Sequence, residues 1–196
     1  MSKNLLLEIG TEEIPARFMP NVLQQLENLA KDKLTQLRIE FKDIKALGTP
    51  RRMALIVENI ADKQTDISTE SKGPSIKVAF DVEGKATKAA QGFARGQNVT
   101  VEDLIVKDDY VFAQVNEKGK NVEEILPELL PEIVTNLNFP KNMRWADLDM
   151  KFVRPIKWLI GLLDNSVINF EIAGVKSSNI TRGHRFLSSG DLVINT

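Results

Sequence analysis

Cysteine is absent from this chain, which excludes a disulfide framework, a thiolate metal site and a cysteine nucleophile, and suits a reducing compartment. Histidine occurs once, at His184, so no histidine cluster can hold zinc, and a metal site would need carboxylates in the manner of magnesium or calcium. No metal ligands are expected. No apolar run approaches the roughly 20 residues that span a bilayer. Met1 to Leu7 also lacks the charged and long apolar regions of a signal peptide. The expected compartment is cytoplasmic, with no membrane partner. Charge of one sign is missing as well: 26 Lys and Arg against 27 Asp and Glu leave a net charge of -1. Without a global positive field, any contact with nucleic acid must be local.

What is present suffices for a folded core. The 196 residues are 42% hydrophobic, enough for one large domain or two small ones. Leu5 to Ile9, stopped by Gly10-Thr11, reads as a buried strand. Phe18, Val22, Leu26, Leu29, Ala30, Leu34 and Leu37 then recur at helical spacing, with polar residues between them. Phe41 to Ala46 and Arg52 to Ile60 read as a hairpin across Gly48-Thr49-Pro50-Arg51. The polar stretch 62–75, with Gly73-Pro74, reads as a surface loop and internal boundary.

Beyond it, Thr87 to Arg95 predicts a short helix ended by Gly96, and Thr100 with Asp103 predicts a capped turn. Leu104–Val106 and Tyr110–Val115 read as a hairpin turning at Asp108-Asp109. Asn121 to Leu137 carries a helical stripe, but Pro127 and Pro131 predict a kinked helix or two short ones. Ile156–Leu163 and Val167–Ile172 read as strands. The expected class is α+β, a mixed, largely antiparallel sheet with one long N-terminal helix and a small helical insert. The expected division is 1–70 and 71–196, two α+β segments or a single compact unit. Charge is uneven: 121–140 holds four acids and no bases, and 141–196 holds eight bases and five acids.

Four clusters have chemistry to offer. Glu12 and Glu13 after Gly10-Thr11 could hold an amine or a metal, or could complement the unsatisfied N–H groups and dipole of the first helix. Arg51 and Arg52, on a Gly-Thr-Pro turn, present two planar forks suited to phosphate, or are solvated turn residues; the spacing is not that of a P-loop. Lys141, Arg144 and Trp145, with Arg154, Lys157 and Trp158, set aromatic faces beside cations. That arrangement suits unpaired bases and phosphate, or core anchors with snorkelling bases. Arg182, His184 and Arg185 flank Gly183 beside Thr181, as binding residues or with His184 as an acid or base.

Six segments in order resemble one family: Leu6-Leu7-Glu8-Ile9-Gly10-Thr11-Glu12-Glu13-Ile14-Pro15-Ala16, Leu47–Arg52, Lys88–Gln97, Phe139–Trp145, Phe152–Trp158 and Thr181–Leu187. The chain is similar to the β subunit of the bacterial α2β2 glycyl-tRNA synthetases. The resemblance implies an N-terminal fragment of a longer subunit, serving tRNA binding and subunit assembly, with the adenylation site on the α subunit. It implies ATP and Mg for the whole enzyme and none in this fragment. The implied partners are the α subunit, tRNA(Gly) and the remainder of the β subunit. No catalytic residue is expected here. The implied RNA or subunit contacts are Arg51, Arg52, Lys141, Arg144, Trp145, Arg154, Lys157, Trp158, Arg182, His184 and Arg185. The alternatives are an editing-type hydrolase of mischarged tRNA, which needs Thr181, His184, Glu12 or Glu13 to converge in a pocket, and a purely structural docking domain.

Overall fold

The computed structural model describes residues 3–81, 83–145, 147, 149–184, 187 and 190–195. In chain order the first elements are β1 (Lys3–Thr11), a 3-10 turn (Ala16–Phe18), α1 (Met19–Gln36), β2 (Asp43–Thr49) and β3 (Arg52–Ile60). Next come β4 (Ile67–Ser75), α2 (Ile76–Ala79), α3 (Lys88–Gly96), a 3-10 turn (Val101–Asp103), β5 (Leu104–Lys107) and β6 (Tyr110–Glu117). Then follow α4 (Val122–Thr135), β7 (Met143–Arg144), β8 (Lys151–Phe152), β9 (Ile156–Leu163) and β10 (Ser166–Val167). The last are β11 (Glu171–Ile172), β12 (Val175–Ser178), β13 (Ile180–Arg182) and β14 (Asp191–Val193). The α+β class, with its mixed sheet and single long N-terminal helix, is the one expected. No helix among the described residues is long and apolar enough to cross a membrane.

The chain divides into two compact units, residues 1–64 with 120–196, and residues 65–119. This division differs from 1–70 and 71–196, since residue 70 falls inside β4. The reason is long-range pairing: β1 lies between β3 and β9, antiparallel to both, so the first and last thirds share one sheet. Its order is β11-β12-β9-β1-β3-β2, with β10 pairing β9 off this path. Among the described residues, only the β12–β9 pairing in it is parallel. Gln64 closes the base of the inserted segment. Its N–H donates to the Lys120 carbonyl at 3.0 Å, its side-chain oxygen accepts from the Lys120 N–H at 3.1 Å, and its amide donates to the Leu37 carbonyl at 2.9 Å.

In the first unit the two-residue period of the strands assigns faces. Leu5, Leu7 and Ile9 of β1 join Met53, Leu55 and Val57 of β3 in one core with Val22, Leu26, Ala30 and Leu34 of α1. β9 is buried on both faces, which explains its unbroken apolar run: Trp158, Ile160 and Leu162 form a second cluster with Leu6, Val167 and Ile194. α4 is one helix with both prolines inside it, not two. Pro127 and Pro131 lie four apart and half-buried, while Val122, Leu126, Leu129, Leu130, Ile133 and Val134 are buried. A buried side chain of this size contributes about 1.5–3 kcal/mol, so the stripe outweighs the about 3 kcal/mol that each interior proline costs. Val167–Ile172 is divided between two short strands, with Ile168 and Phe170 buried in the core between them.

In the second unit β6 is central and antiparallel to both β4 and β5. The stretch expected as a loop holds β4 in its second part. Its polar Ser, Thr, Glu and Lys residues suit an edge strand, and the register shifts between Lys72 and Ser75, where Gly73-Pro74 needs no ladder donor. α3, the capped turn and the β5–β6 hairpin stand where the sequence placed them. Asp108 and Asp109 carry φ of 50° and 63°, the left-handed pair of a two-residue hairpin turn.

Candidate functional site

Glu8 lies in the middle of β1, on the face opposite Leu7 and Ile9, and is only 5% exposed. A carboxylate so enclosed needs partners, and three converge on it. The Trp158 indole N–H and the Thr181 hydroxyl both donate to Oε1 at 2.5 Å. The Arg52 guanidinium stands 3.5 Å from Oε2. Charge-assisted bonds of this kind are worth about 1.5–3 kcal/mol each.

Register explains why these groups meet. Gly10 of β1 is the cross-strand partner of Arg52 on β3 and of Trp158 on β9. The Trp158 ring lies on Gly10, where a Cβ would fall 2.0 Å from Cδ2 and Cε2, so only glycine leaves room. Two cations also stand by the indole. Arg52 and Arg182 sit 5.7 and 5.6 Å from the ring centroid, within cation–π range. The Arg52 guanidinium also donates to the Arg182 carbonyl, tying the β13–β14 hairpin to β3. Arg182 is 3.6 Å from Asp191, its cross-strand partner.

Above this row opens a cleft of about 830 Å³, lined by Thr49, Pro50, Arg51, Arg52, Trp158, Arg182, Gly183 and His184, with Glu13, Gly190 and Asp191. Three guanidinium groups thus face two lining carboxylates over buried Glu8, so its charge is mixed, not uniformly basic. Arg52 and Arg182 are engaged, but the Arg51 side chain has no hydrogen bond or ion pair among the described residues, and its Nε is enclosed without a partner. Arg51 is therefore the one guanidinium of the three without a side-chain partner among the described residues.

The fold gathers some expected contacts here and scatters others. Arg51, Arg52, Trp158, Arg182 and His184 share the cleft; Arg185 lies outside the described residues. Trp158, at 8% exposure, is buried as an anchor between Gly10 and the cleft it lines. Trp145 is likewise held, its N–H donating to the Phe152 carbonyl at 3.0 Å beside a pocket of about 50 Å³. Arg154 donates to the carbonyls of Glu13 and Val153 at 2.9 and 3.0 Å, bracing the loop after β1. Lys157 pairs with Glu12 at 3.5 Å. Lys141 and Arg144 are exposed and are not among the residues lining this cleft.

The acids after β1 do not serve the first helix, whose first turn holds none; α1 begins later, at Met19-Pro20. Of the groups a hydrolase would need, Glu13 and His184 share the cleft, but the Thr181 hydroxyl is committed to Glu8 and Glu12 to Lys157. Among the described residues no group of three or more His, Cys, Asp or Glu could hold a metal. Glu8 is the residue sequence reasoning missed. The signal was its place inside the apolar run Leu5–Ile9, since an enclosed acid seldom goes unpartnered.

Among known sequences, the family described as glycyl-tRNA synthetase beta subunit matches residues 5–196. The glycine–tRNA ligase beta subunit of Desulfitobacterium hafniense strain Y51 is 49% identical over 191 residues, 95% of this chain and 28% of that protein. That of Natranaerobius thermophilus is 46% identical over 200 residues, 100% of this chain and 29% of the relative. That of Clostridioides difficile strain 630 is 41% identical over 200 residues, again 100% and 29%. The chain thus spans less than a third of the length of the curated relatives it matches.

Proposed function

Because the chain belongs to the glycyl-tRNA synthetase beta subunit family, we propose that it takes part in joining glycine to its tRNA, as a tRNA-binding and assembly region without a catalytic centre of its own. The α subunit supplies the adenylation site, with ATP and Mg, and the reaction is cytoplasmic. The observation that carries this reading is the cleft of Arg51, Arg52 and Arg182. Glu8 and Trp158 hold two of these guanidinium groups in place and leave the third uncommitted, an arrangement suited to phosphate oxygens. His184 lines the same cleft. Exposed Lys141 and Arg144 add charge for a second contact with the backbone or a subunit. Lys157, Trp145, Arg154 and Trp158 act from behind as supports.

The test is binding of the chain to glycine tRNA and to an unrelated tRNA across a salt series, with Arg51→Ala plus Arg182→Ala as the variant. Expected is a several-fold weaker affinity and a salt slope shallower by about 0.7–0.9 for each phosphate no longer neutralised. Wild-type affinity and slope in the variant would remove the cleft from the interface.

A second reading, subunit docking, is favoured by apolar side chains on the β13–β14 hairpin: Ile180, Leu192 and Val193 are 39, 48 and 58% exposed. No tRNA binding at low salt by folded wild-type chain would favour docking against the α subunit or the rest of the β subunit.

A further inference from the structure

The second unit has an open groove of about 780 Å³ that the first unit's cleft does not explain. One wall is α3 and the turn after it: Gln91, Ala94, Arg95 and Asn98 follow at the three-, four- and seven-residue spacing that puts them on one helical face. Asn98 stands at φ 55°, a left-handed position that asparagine tolerates, and the Val99 N–H returns to the Ala94 carbonyl at 3.0 Å to close the helix end. The floor is β6, where Gln114 and Asn116, two apart, project to the same face. The remaining wall is the capped turn. Its Asp103 carboxylate accepts the Thr100 hydroxyl at 2.7 Å and the Thr100 N–H at 3.2 Å, so this acid is occupied within the turn.

The side chains on this groove are largely idle. Arg95, Asn98 and Asn116 have no side-chain hydrogen bond or ion pair among the described residues, and Gln114 spends one amide hydrogen on Ser68 at 2.9 Å. A carboxamide offers a donor and an acceptor side by side, the complement of a nucleobase edge, and a guanidinium fork complements a phosphate. Ala94, Val99 and Val101 supply apolar surface between them, and no aromatic ring is among the lining residues to stack a base. We infer that this groove is a second RNA contact, taking an unpaired nucleotide whose base edge meets Asn98, Gln114 and Asn116 and whose phosphate meets Arg95. The inference rests on the tRNA-binding reading and extends it to a part of the chain lacking the cleft.

The experiment measures the affinity of the chain for a glycine tRNA transcript across a salt series, for wild type, Arg95→Ala, Asn116→Ala and Arg51→Ala plus Arg182→Ala. Both groove side chains are exposed and unpartnered, so these variants keep the fold, which circular dichroism checks. Arg95→Ala is expected to weaken binding several-fold and to lower the salt slope by about 0.7, one phosphate on a single strand. Asn116→Ala is expected to weaken binding about three- to tenfold with the slope unchanged, because an amide reads an edge and not a charge. Wild-type affinity in both groove variants, with the cleft variant weakened, would overturn the groove assignment alone and leave the surface to a protein contact. Absence of tRNA binding by wild type at low salt would overturn both readings.

Discussion

The inserted segment between Gln64 and Lys120 buries only small side chains among the described residues: Ala79, Ala90 and Val111 cluster with Phe80, Ala86 and Leu104 against them, and Ala94 and Ala113 are buried as well. The rest of the chain buries a continuous body of Leu, Ile, Val, Met and Phe from β1, β3, β9, α1 and α4. At about 25 cal/mol for each Å² of apolar surface removed from water, the first arrangement yields far less than the second. The insert therefore leans on directed polar contacts. The Thr87 hydroxyl donates to the Val78 and Ala79 carbonyls at 2.7 and 3.1 Å, Thr100 is locked to Asp103, and two aspartates set the hairpin turn. Such bonds contribute about 0.5–1.5 kcal/mol each. The comparison teaches that one chain can combine a hydrophobically stabilised platform with a module held chiefly by turn chemistry, and the module should open locally at lower free energy.

The comparison can be put under strain from both sides. Leu130→Ala, a fully buried position on α4, is expected to cost about 2–5 kcal/mol of global stability by denaturant unfolding. A loss under about 1 kcal/mol would mean that the platform core is less decisive than its burial indicates. Gly73→Ala in the insert sets a Cβ 2.5 Å from the Phe93 ring. It is expected to cost about 1–3 kcal/mol, with amide protection falling in 65–119 and holding elsewhere. A fall in protection throughout would show that the two units unfold as one.

The smallest effect is that of pH on the insert. Hydrogen bonds from the Thr100 hydroxyl, and then its N–H, lower the Asp103 pKa below the ordinary aspartate value. A lowered carboxylate contributes stability that is full above the unfolded pKa and lost as pH falls through the folded one. The window therefore lies below about pH 4. Asp103→Asn should differ from wild type in exchange protection of 100–104 at neutral pH, and the difference should shrink in that acid window. A constant difference would remove the charge from the explanation.

Local pattern was legible where one face met one environment. The helical spacing from Phe18 to Leu37, the Thr49–Arg52 turn, the Thr100–Asp103 cap and the Asp108-Asp109 hairpin were all readable, because each depends on neighbours in the chain. β4 was not, since an edge strand is polar on both faces and becomes a strand only when β6 pairs with it. Nor was α4 as one helix: the proline penalty is local, while the burial that outweighs it comes from packing against distant parts of the chain, α1 among them.

The candidate site divides the same way. The sequence by itself determined that Arg51, Arg52, Trp158, Arg182 and His184 sit in segments worth joining, and six ordered motifs determined the family. Only the tertiary structure decided that Trp158 is an anchor, that Arg154 is a brace, and that Lys141 and Arg144 stand outside the cleft. It alone placed Glu8 beneath the arginines. The physical reason is that strand pairing brings Gly10, Arg52 and Trp158 into one row from three separate parts of the chain. The partners of an enclosed charge follow from that register, which no local spacing encodes.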